Sequence, residues 1–504
     1  MLSESLVHLS ALPPDRAART TPGAGARMRG DGAEGQGANV PDRLRCDVLV
    51  VGGGNAALCA ALAARDRGAD VLVAERSPEF FRGGNSRHTR DIRFMHGPGS
   101  PYAPGEYSEA EFWDDLVRVT GEDLSEPLAR LTIRASADLP RWMEAHGVRW
   151  QEPLRGTLHL SRTNVFMLGG GRAMLNGYYE AARAQGVRVL YEADVQDLRI
   201  DDSGSFTGAV LRAAGRDCLV EASAVVLASG GFEANVDWLR RYWGDAADHF
   251  VVRGSPYNKG ELLALMLERG ARPVADPRQF HAVAVDGRAP KFDGGIVTRL
   301  DSVPFGIAVD QDGQRFYDEG EDFWPKRYAN WGGLIARQSG QVAYSILDSR
   351  AMAHFLPSVF PPIQAPSLEA LAAKLGIPPL ALRETVDRFN RATRPGTFDP
   401  GALDDCRTEG LTPPKSHWAV PIDRPPFFGY PLRPGITFTY MGVEVDETAR
   451  VVMADGRAAE NIFAAGEIMA GNILRKGYLA GFGLTIGAVF GRIAGEEAAA
   501  HGGV

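Results

Sequence analysis

Residues 46–76 read CDVLVVGGGNAALCAALAARDRGADVLVAER, and their order decides the fold. An apolar run, Val48 to Val51, meets Gly52-Gly53-Gly54 with no spacer. A helix-favouring segment follows from Asn55 to Arg67, and a second apolar run, Val71 to Ala74, ends in Glu75. The pattern is strand, tight turn, helix, strand.

Each residue type in that unit answers a need of dinucleotide binding. Gly52 permits the turn, Gly53 continues it, and Gly54 lets backbone approach a pyrophosphate. Ala57, where a third glycine is usual, keeps the helix close to the sheet. Free N–H groups at the helix start, from Asn55 and Ala56 onward, face the phosphates together with the positive end of the helix dipole. Glu75, about 20 residues on, is a carboxylate placed for ribose hydroxyls, with Arg76 beside it. An acid at that position disfavours a 2′-phosphate, so NADP fits poorly. FAD and NAD share this fingerprint, and the unit alone leaves both open.

With 504 residues, 44% of them hydrophobic, the chain has material for more than one core, and two domains are expected. Its 55 basic and 63 acidic residues are intermixed, for a net charge of −8. That leaves no basic face for nucleic acid. Cys46, Cys59, Cys218 and Cys406 are scattered without C-x-x-C spacing, which gives no disulfide framework, zinc site or iron–sulfur cluster. No metal site is expected, and free core thiols suit a reducing cytoplasm.

Residues 1–42 are rich in Ala, Gly, Arg, Ser and Pro and carry no apolar block long enough for a signal peptide. They are expected to form a disordered extension, with Met28 a second possible start. After the first unit, Phe81-Arg82-Gly83-Gly84-Asn85-Ser86-Arg87-His88-Thr89-Arg90 combines paired glycines with a high density of arginine, continued by Arg93. A solvated basic loop and an anion site are equally open there. Helical spacing runs from Glu109 to Gly147. Gly169-Gly170-Gly171 then opens another helix to Ala184, followed by a strand at Val187–Tyr191 and a short segment around Val195.

Ala222 to Gly231, ASAVVLASGG, reads as a buried strand ending in small residues at Ala228 and Gly230. Asn461 to Gly466, NIFAAG, repeats it, with Glu467 next and a closing helix from Leu484 to Ala500. Two late strands therefore complete a sheet begun far upstream, and something is inserted between them. The insertion is richer in Pro and aromatic residues, with a turn at Asp312-Gly313 and a helical pair from Ser367 to Thr393. The expected division is 43–272 with 436–504 for the nucleotide domain and 273–435 for the second. No internal repeat and no membrane span appear.

GGGN with Glu75, the GGNS loop, GGGRAM, VVLASGGFEAN, DGQRFYDE, IFAAGE and the terminal GRIAG occur in one order over residues 43–504. Together they resemble the flavoprotein family of succinate dehydrogenase, fumarate reductase, aspartate oxidase and 3-ketosteroid dehydrogenase. GGNAALCAA, GGNSRHTR, FYDEGEDFWPKRYANWG and GYLAGFGLTIGAVFGRIAG look most like tricarballylate dehydrogenase, which oxidises tricarballylate to cis-aconitate. The flavin-containing half of precorrin-3B synthase looks similar too. The resemblance implies an α/β fold, a Rossmann-like FAD-binding domain with an inserted α+β capping domain. It implies FAD held by Gly52, Gly53, Gly54, Asn55, Ala56, Ala57, Glu75, Arg76, Gly83, Gly84, Asn85, Ser86, Val195, Ala228, Gly230, Gly466, Glu467 and Leu484. Where some relatives carry a flavin-linking His, this chain has Asn85, with His88 three residues late, so the flavin is expected to be noncovalent.

The implied reaction is α,β-dehydrogenation beside a carbonyl or carboxylate, or its reverse, with hydride passing to or from flavin N5 and a proton moving at the neighbouring carbon. By resemblance Arg327, after Gly313-Gln314-Arg315-Phe316-Tyr317-Asp318-Glu319, is the proton carrier, and His281 is the first substrate histidine. The second histidine of the pattern is replaced by Phe438, with Tyr440 nearby, and the late carboxylate-binding Arg by Tyr478. Arg475 and Lys476 stand close enough in sequence to serve a carboxylate instead, with Arg87, Arg90 and Arg93 as further cations. Three carboxylates would justify several such groups. A tyrosine at 478 also resembles the ketone-polarising residue of 3-ketosteroid dehydrogenases, although Leu479 stands where a proline is expected. A small polycarboxylate is the expected substrate, with 3-ketosteroid or fumarate chemistry and a non-catalytic flavoprotein as alternatives. Lacking haem and iron–sulfur motifs, the chain is expected to pass electrons to a separate acceptor. The resemblance makes this a membrane-bound iron–sulfur protein, so that a cytoplasmic chain would be peripheral to the membrane only through its partner.

Overall fold

The computed structural model describes residues 41–152, 161–201 and 203–503. The extension expected over residues 1–42 lies, through residue 40 and including Met28, outside the described residues.

Apolar runs become the inner strands of an eight-stranded sheet. Strand β1 (Arg43–Val51) leads through the glycine turn into helix α1 (Asn55–Asp66) and strand β2 (Val71–Ala74). Helix α2 (Gly170–Ala184) leads to β3 (Arg188–Leu190), and β4 (Arg216–Leu227) and β5 (Ala458–Ala464) follow. The sheet order is Arg450–Val452, β5, β4, β1, β2, β3, and the last five strands are parallel. An antiparallel pair, Ala193–Ile200 and Phe206–Ala213, attaches to β4. Parallel register aligns Val51 with Ala74 and Leu227, and Leu227 with Ala464. The strands' carboxyl ends therefore release Gly52, Glu75, Ala228 and Ala465 along one edge, where open α/β sheets bind ligands.

Helix α1 is alanine-rich, and Asn55 through Ala64 are all buried. It packs on the final helix α3 (Phe482–His501), which presents Gly487, Gly491 and Gly495 to it at four-residue spacing. A Cβ at Gly491 would lie 2.5 Å from the Ala56 carbonyl, and one at Gly495 2.2 Å from that of Ala60. Larger residues would force these helices apart and move the turn that α1 caps. Burial pushes the Cys46 and Cys59 thiols up to about 12, so both act as packing residues.

The second sheet is built on Phe427–Thr439, which pairs antiparallel with Phe280–Asp286, Ala343–Leu347 and Ile363–Ala365. Ile307–Val309 pairs with Ala343–Leu347 on the far side. Helices Leu368–Leu375 and Pro379–Ala392 cover it with a separate core that includes Leu371, Leu382 and Phe389. The long strand runs through the expected boundary at 435/436, and Val251–Val252, from the segment expected in the nucleotide domain, pairs with its Gly435 and Ile436. Segments on both sides of the expected boundary therefore share the second sheet. The Arg315-to-Glu319 motif is a buried clamp: Arg315 pairs with Glu319 at 2.5 Å, and Glu319 accepts the Ala308 N–H at 2.9 Å. Among the described residues no helix is long and apolar enough to cross a membrane, and no cluster of His, Cys, Asp and Glu is placed to hold a metal.

Candidate active site

One cleft opens along the carboxyl edge of the parallel strands and runs beneath the second sheet. All the expected cofactor positions line it except Ala57, which is wholly buried in α1. Gly52 has φ +117°, and a Cβ there would lie 2.3 Å from the Ala228 carbonyl, so only glycine makes this turn. At Gly54 a Cβ would meet no atom of the chain closer than Ser86 Oγ, at 3.4 Å. The space above its backbone opens to the cleft. The Asn55 N–H donates to Ser86 Oγ at 3.1 Å, joining the helix start to the GGNS loop. Glu75 is 6% exposed, its carboxyl raised by burial, and accepts the Ser77 N–H at 2.7 Å. A pyrophosphate at the α1 N-terminus and a ribose at Glu75 fit this cradle.

Asn85 is fixed on both sides of its amide. Its Nδ2 donates to the Thr437 carbonyl and to Glu233, and its Oδ1 accepts the Ser255 N–H at 2.7 Å. An amide held in this way offers no nucleophile for a flavin linkage. Glu233 is fully buried, and Glu467 lines the cleft. Burial, then the neighbouring Glu233 charge, holds the Glu467 carboxyl well above the usual range, so the pair retains a proton.

The four arginines of the basic stretch take four different places. Arg82 pairs with Glu79 at 2.7 Å, and Arg93 is buried, bonded to Tyr107 and the Ala480 carbonyl. Arg87 turns to an outer cavity. Arg90 enters the cleft, its nearest ion-pair partner Asp91 at 3.6 Å.

At the cleft's inner end the ring of His281 stacks on that of Tyr478, centroids 4.0 Å apart at 10°, with Tyr328 edge-on at 5.5 Å. His281 is 3% exposed, and its Nε2 has no hydrogen-bond partner among the described residues. Burial, then Arg253 and Arg299, lowers its pKa well below the ordinary value, which leaves a neutral imidazole. The Tyr478 oxygen accepts the Gly483 N–H at 2.9 Å, leaving its own proton free to donate. Arg299 pairs with Asp301 at 2.7 Å and lies 4.9 Å over the Tyr328 ring. Arg253 is also buried here, with Nε and Nη1 unpartnered among the described residues. Burial, then Arg299, lowers it to about 10. Three guanidiniums, of Arg90, Arg253 and Arg299, thus face two carboxylates, of Asp91 and Asp301, and one buried positive charge lacks a partner.

Three of the expected catalytic side chains lie off the cleft. Arg327 is held by Glu321 at 3.1 Å and does not line the cleft. Tyr440 is fully buried and donates to the Gly477 carbonyl at 2.8 Å. Arg475 is fixed through its backbone N–H to Thr120 Oγ1 at 2.7 Å and is not a cleft residue. Of the expected set the structure brings together His281 and Tyr478, and adds Arg253, Arg299 and Tyr328. Arg253 follows a strand only two residues long, and Arg299 a single helical turn, so neither has a periodic signal to mark it.

A glycine cradle at the carboxyl ends of parallel strands, continuous with a cationic pocket under a cap, has the form of a noncovalent FAD site in an FAD-binding oxidoreductase domain. The chain belongs to the FAD binding domain family, whose model matches residues 47–483. It is 25% identical over 90% of its length to an NADH:acrylate oxidoreductase of Vibrio harveyi, spanning 50% of that protein. It is 26% identical over 90% of its length to a probable fumarate reductase of Shewanella frigidimarina, covering 75% of it. It is also 26% identical over 90% of its length to the 4-oxocyclohex-2-ene-1-carboxylate 5-dehydrogenase of Sinomonas cyclohexanicum, covering 94% of it. The fold matches the open form of a flavocytochrome c3 fumarate reductase, with TM-score 0.69, 24% identity, and 91% and 78% of the two chains covered.

Proposed function

We propose that the chain hydrogenates or dehydrogenates the carbon pair next to a carboxylate in a small anionic substrate. Bound flavin supplies the two-electron chemistry. The single observation that carries this reading is Arg253, a buried guanidinium without a counter-ion at the inner end of the cleft. An isolated buried charge is costly, and a substrate carboxylate would offset that cost. Arg90 and Arg299 offer positions for further carboxylates, as a polycarboxylate of the tricarballylate type requires. Neutral His281 presents Nε2 to the same space. A proton-carrier role for Arg327 requires its guanidinium to leave Glu321. The relatives named for acrylate and fumarate support an acyclic carboxylate generally. None of them is named for tricarballylate, so a fumarate reductase-like activity has more support than that specific substrate.

A second reading has its own observation. Tyr478 stands where the resemblance expects a carboxylate-binding Arg, and its hydroxyl is free to donate. That suits a cyclic keto acid whose ketone Tyr478 polarises and whose carboxylate Arg253 holds, as in the substrate for which the Sinomonas relative is named. A neutral 3-ketosteroid would leave Arg253 uncompensated. Electrons would pass to or from a separate partner, a membrane-bound iron–sulfur protein by the resemblance. Anaerobic mixing of the yellow protein with tricarballylate, succinate, 4-oxocyclohexanecarboxylate and a 3-ketosteroid decides among these. Bleaching by one of the acids supports the proposal, and bleaching by the steroid alone overturns it.

A further inference from the structure

The basic loop has a second face. Arg87 is 9% exposed and lines an outer cavity with Arg172, Arg82, Glu79, Phe80 and Asn176, separate from the flavin cleft. Its Nε and Nη1 are buried without hydrogen-bond partners among the described residues, and its guanidinium lies over the Phe81 ring at 4.7 Å. The charges around it do not compensate it. Asp293 attracts Arg87 but is engaged by His88 at 2.5 Å, and Glu79 is taken by Arg82 at 2.7 Å. Arg172, at the start of the fifteen-residue helix α2, adds repulsion and has no hydrogen-bond or ion-pair partner among the described residues. Arg87 and Arg172, in a lining whose one acid, Glu79, is held by Arg82, form an incomplete anion site. The exposed edge of the cavity is Phe80, a large aromatic residue left 71% exposed.

We propose that this cavity binds a phosphoryl group between Arg87 and Arg172, either free phosphate or the phosphate end of a nucleotide whose base rests on Phe80. Guanidinium pairs recognise phosphate oxygens bidentately, and aromatic faces stack on bases. The site also communicates with the flavin cradle. Arg87 directly follows Ser86, which accepts the α1 N-terminal N–H, and a Cβ at Gly171 would lie 2.0 Å from the Ser86 carbonyl. The loop is therefore wedged between the two sites. An anion that pins Arg87 strengthens FAD binding and so slows its release, and by reciprocity of the binding free energies FAD strengthens anion binding.

The test is calorimetric titration of the FAD-loaded protein with inorganic phosphate and with ADP at constant ionic strength, alongside the FAD release rate in phosphate and in chloride. Saturable phosphate binding is expected, weakened about tenfold or more in Arg172→Gln, with FAD content and melting temperature in chloride unchanged. ADP binding tighter than phosphate, and reduced to the phosphate level in Phe80→Ala, assigns a nucleotide. Equal affinities assign free phosphate. Absence of saturable binding by either, or equal binding to Arg172→Gln, overturns the proposal.

Discussion

Replacing Arg253 by Met keeps the length of the side chain and removes the charge, and it is expected to stabilise the fold while disabling substrate binding. Burial, then Arg299, lowers Arg253 to about 10, roughly two units or more below the ordinary guanidinium. At about 1.36 kcal/mol per pH unit, the charged form costs the fold ~3 kcal/mol. A folded pKa below the unfolded one makes this cost complete below about pH 10 and lets it fade only above that, where the folded site deprotonates first. The gain in Arg253→Met is therefore flat across neutral pH. For a chain of this size it amounts to roughly 3 °C in melting temperature. Losing the partner of a buried carboxylate costs about 2–5 kcal/mol of substrate affinity, at least ~30-fold. Differential scanning calorimetry of the FAD-loaded proteins and equilibrium titration of the flavin spectrum with the substrate acid measure the two effects. A variant that is less stable than wild type, or binds the acid within threefold of it, refutes the assignment of Arg253 as an unpaired carboxylate anchor.

Gly52→Ala meets the Ala228 carbonyl and a φ of +117° together, and the purified protein is expected to lose most of its visible flavin absorbance; full FAD content would contradict the turn geometry. Tyr478→Phe keeps the ring stacked on His281 and removes only the hydroxyl, so turnover of a keto acid should fall by about 100-fold while a simple dicarboxylate changes little. Equal losses on both substrates would show that the hydroxyl does not act on a ketone. Because His281 is neutral in the folded site, kcat/KM should show no limb near its ordinary 6.5; a limb there that vanishes in His281→Gln refutes this.

The cofactor half was legible in the sequence because it is local. Gly52 to Glu75 encode a strand, turn, helix and strand within one stretch, and parallel pairing puts the ends of that stretch on one edge of the sheet. The GGNS loop and the small residues after β4 and β5 were legible as backbone that borders the cleft. The boundary at 435/436 was not, because the texture of the sequence changes there while the strand Phe427–Thr439 continues without a break. Arg327 illustrates a second limit. Its distance after the clamp of Arg315 and Glu319 was readable, but the direction of its side chain is set by Glu321, six residues earlier.

The substrate end is built on contacts remote in the chain. Phe438 and Tyr478 occupy positions where the resemblance leads one to expect a histidine and an arginine, so the positive charge must come from elsewhere if an anion is to bind. It comes from Arg253 and Arg299. Arg253 reaches the cleft because its backbone N–H bonds the Ile436 carbonyl at 2.9 Å, extending the parallel pairing of Val251–Val252 with Gly435 and Ile436. The Gly295 N–H in turn bonds the Arg253 carbonyl at 2.9 Å, bringing the segment that carries Arg299 alongside. The strand that ties cap to cofactor domain therefore also sets the charge of the pocket. A change that shifts its register would alter substrate affinity before it altered flavin binding, since Gly52 to Glu75 hang from the other sheet.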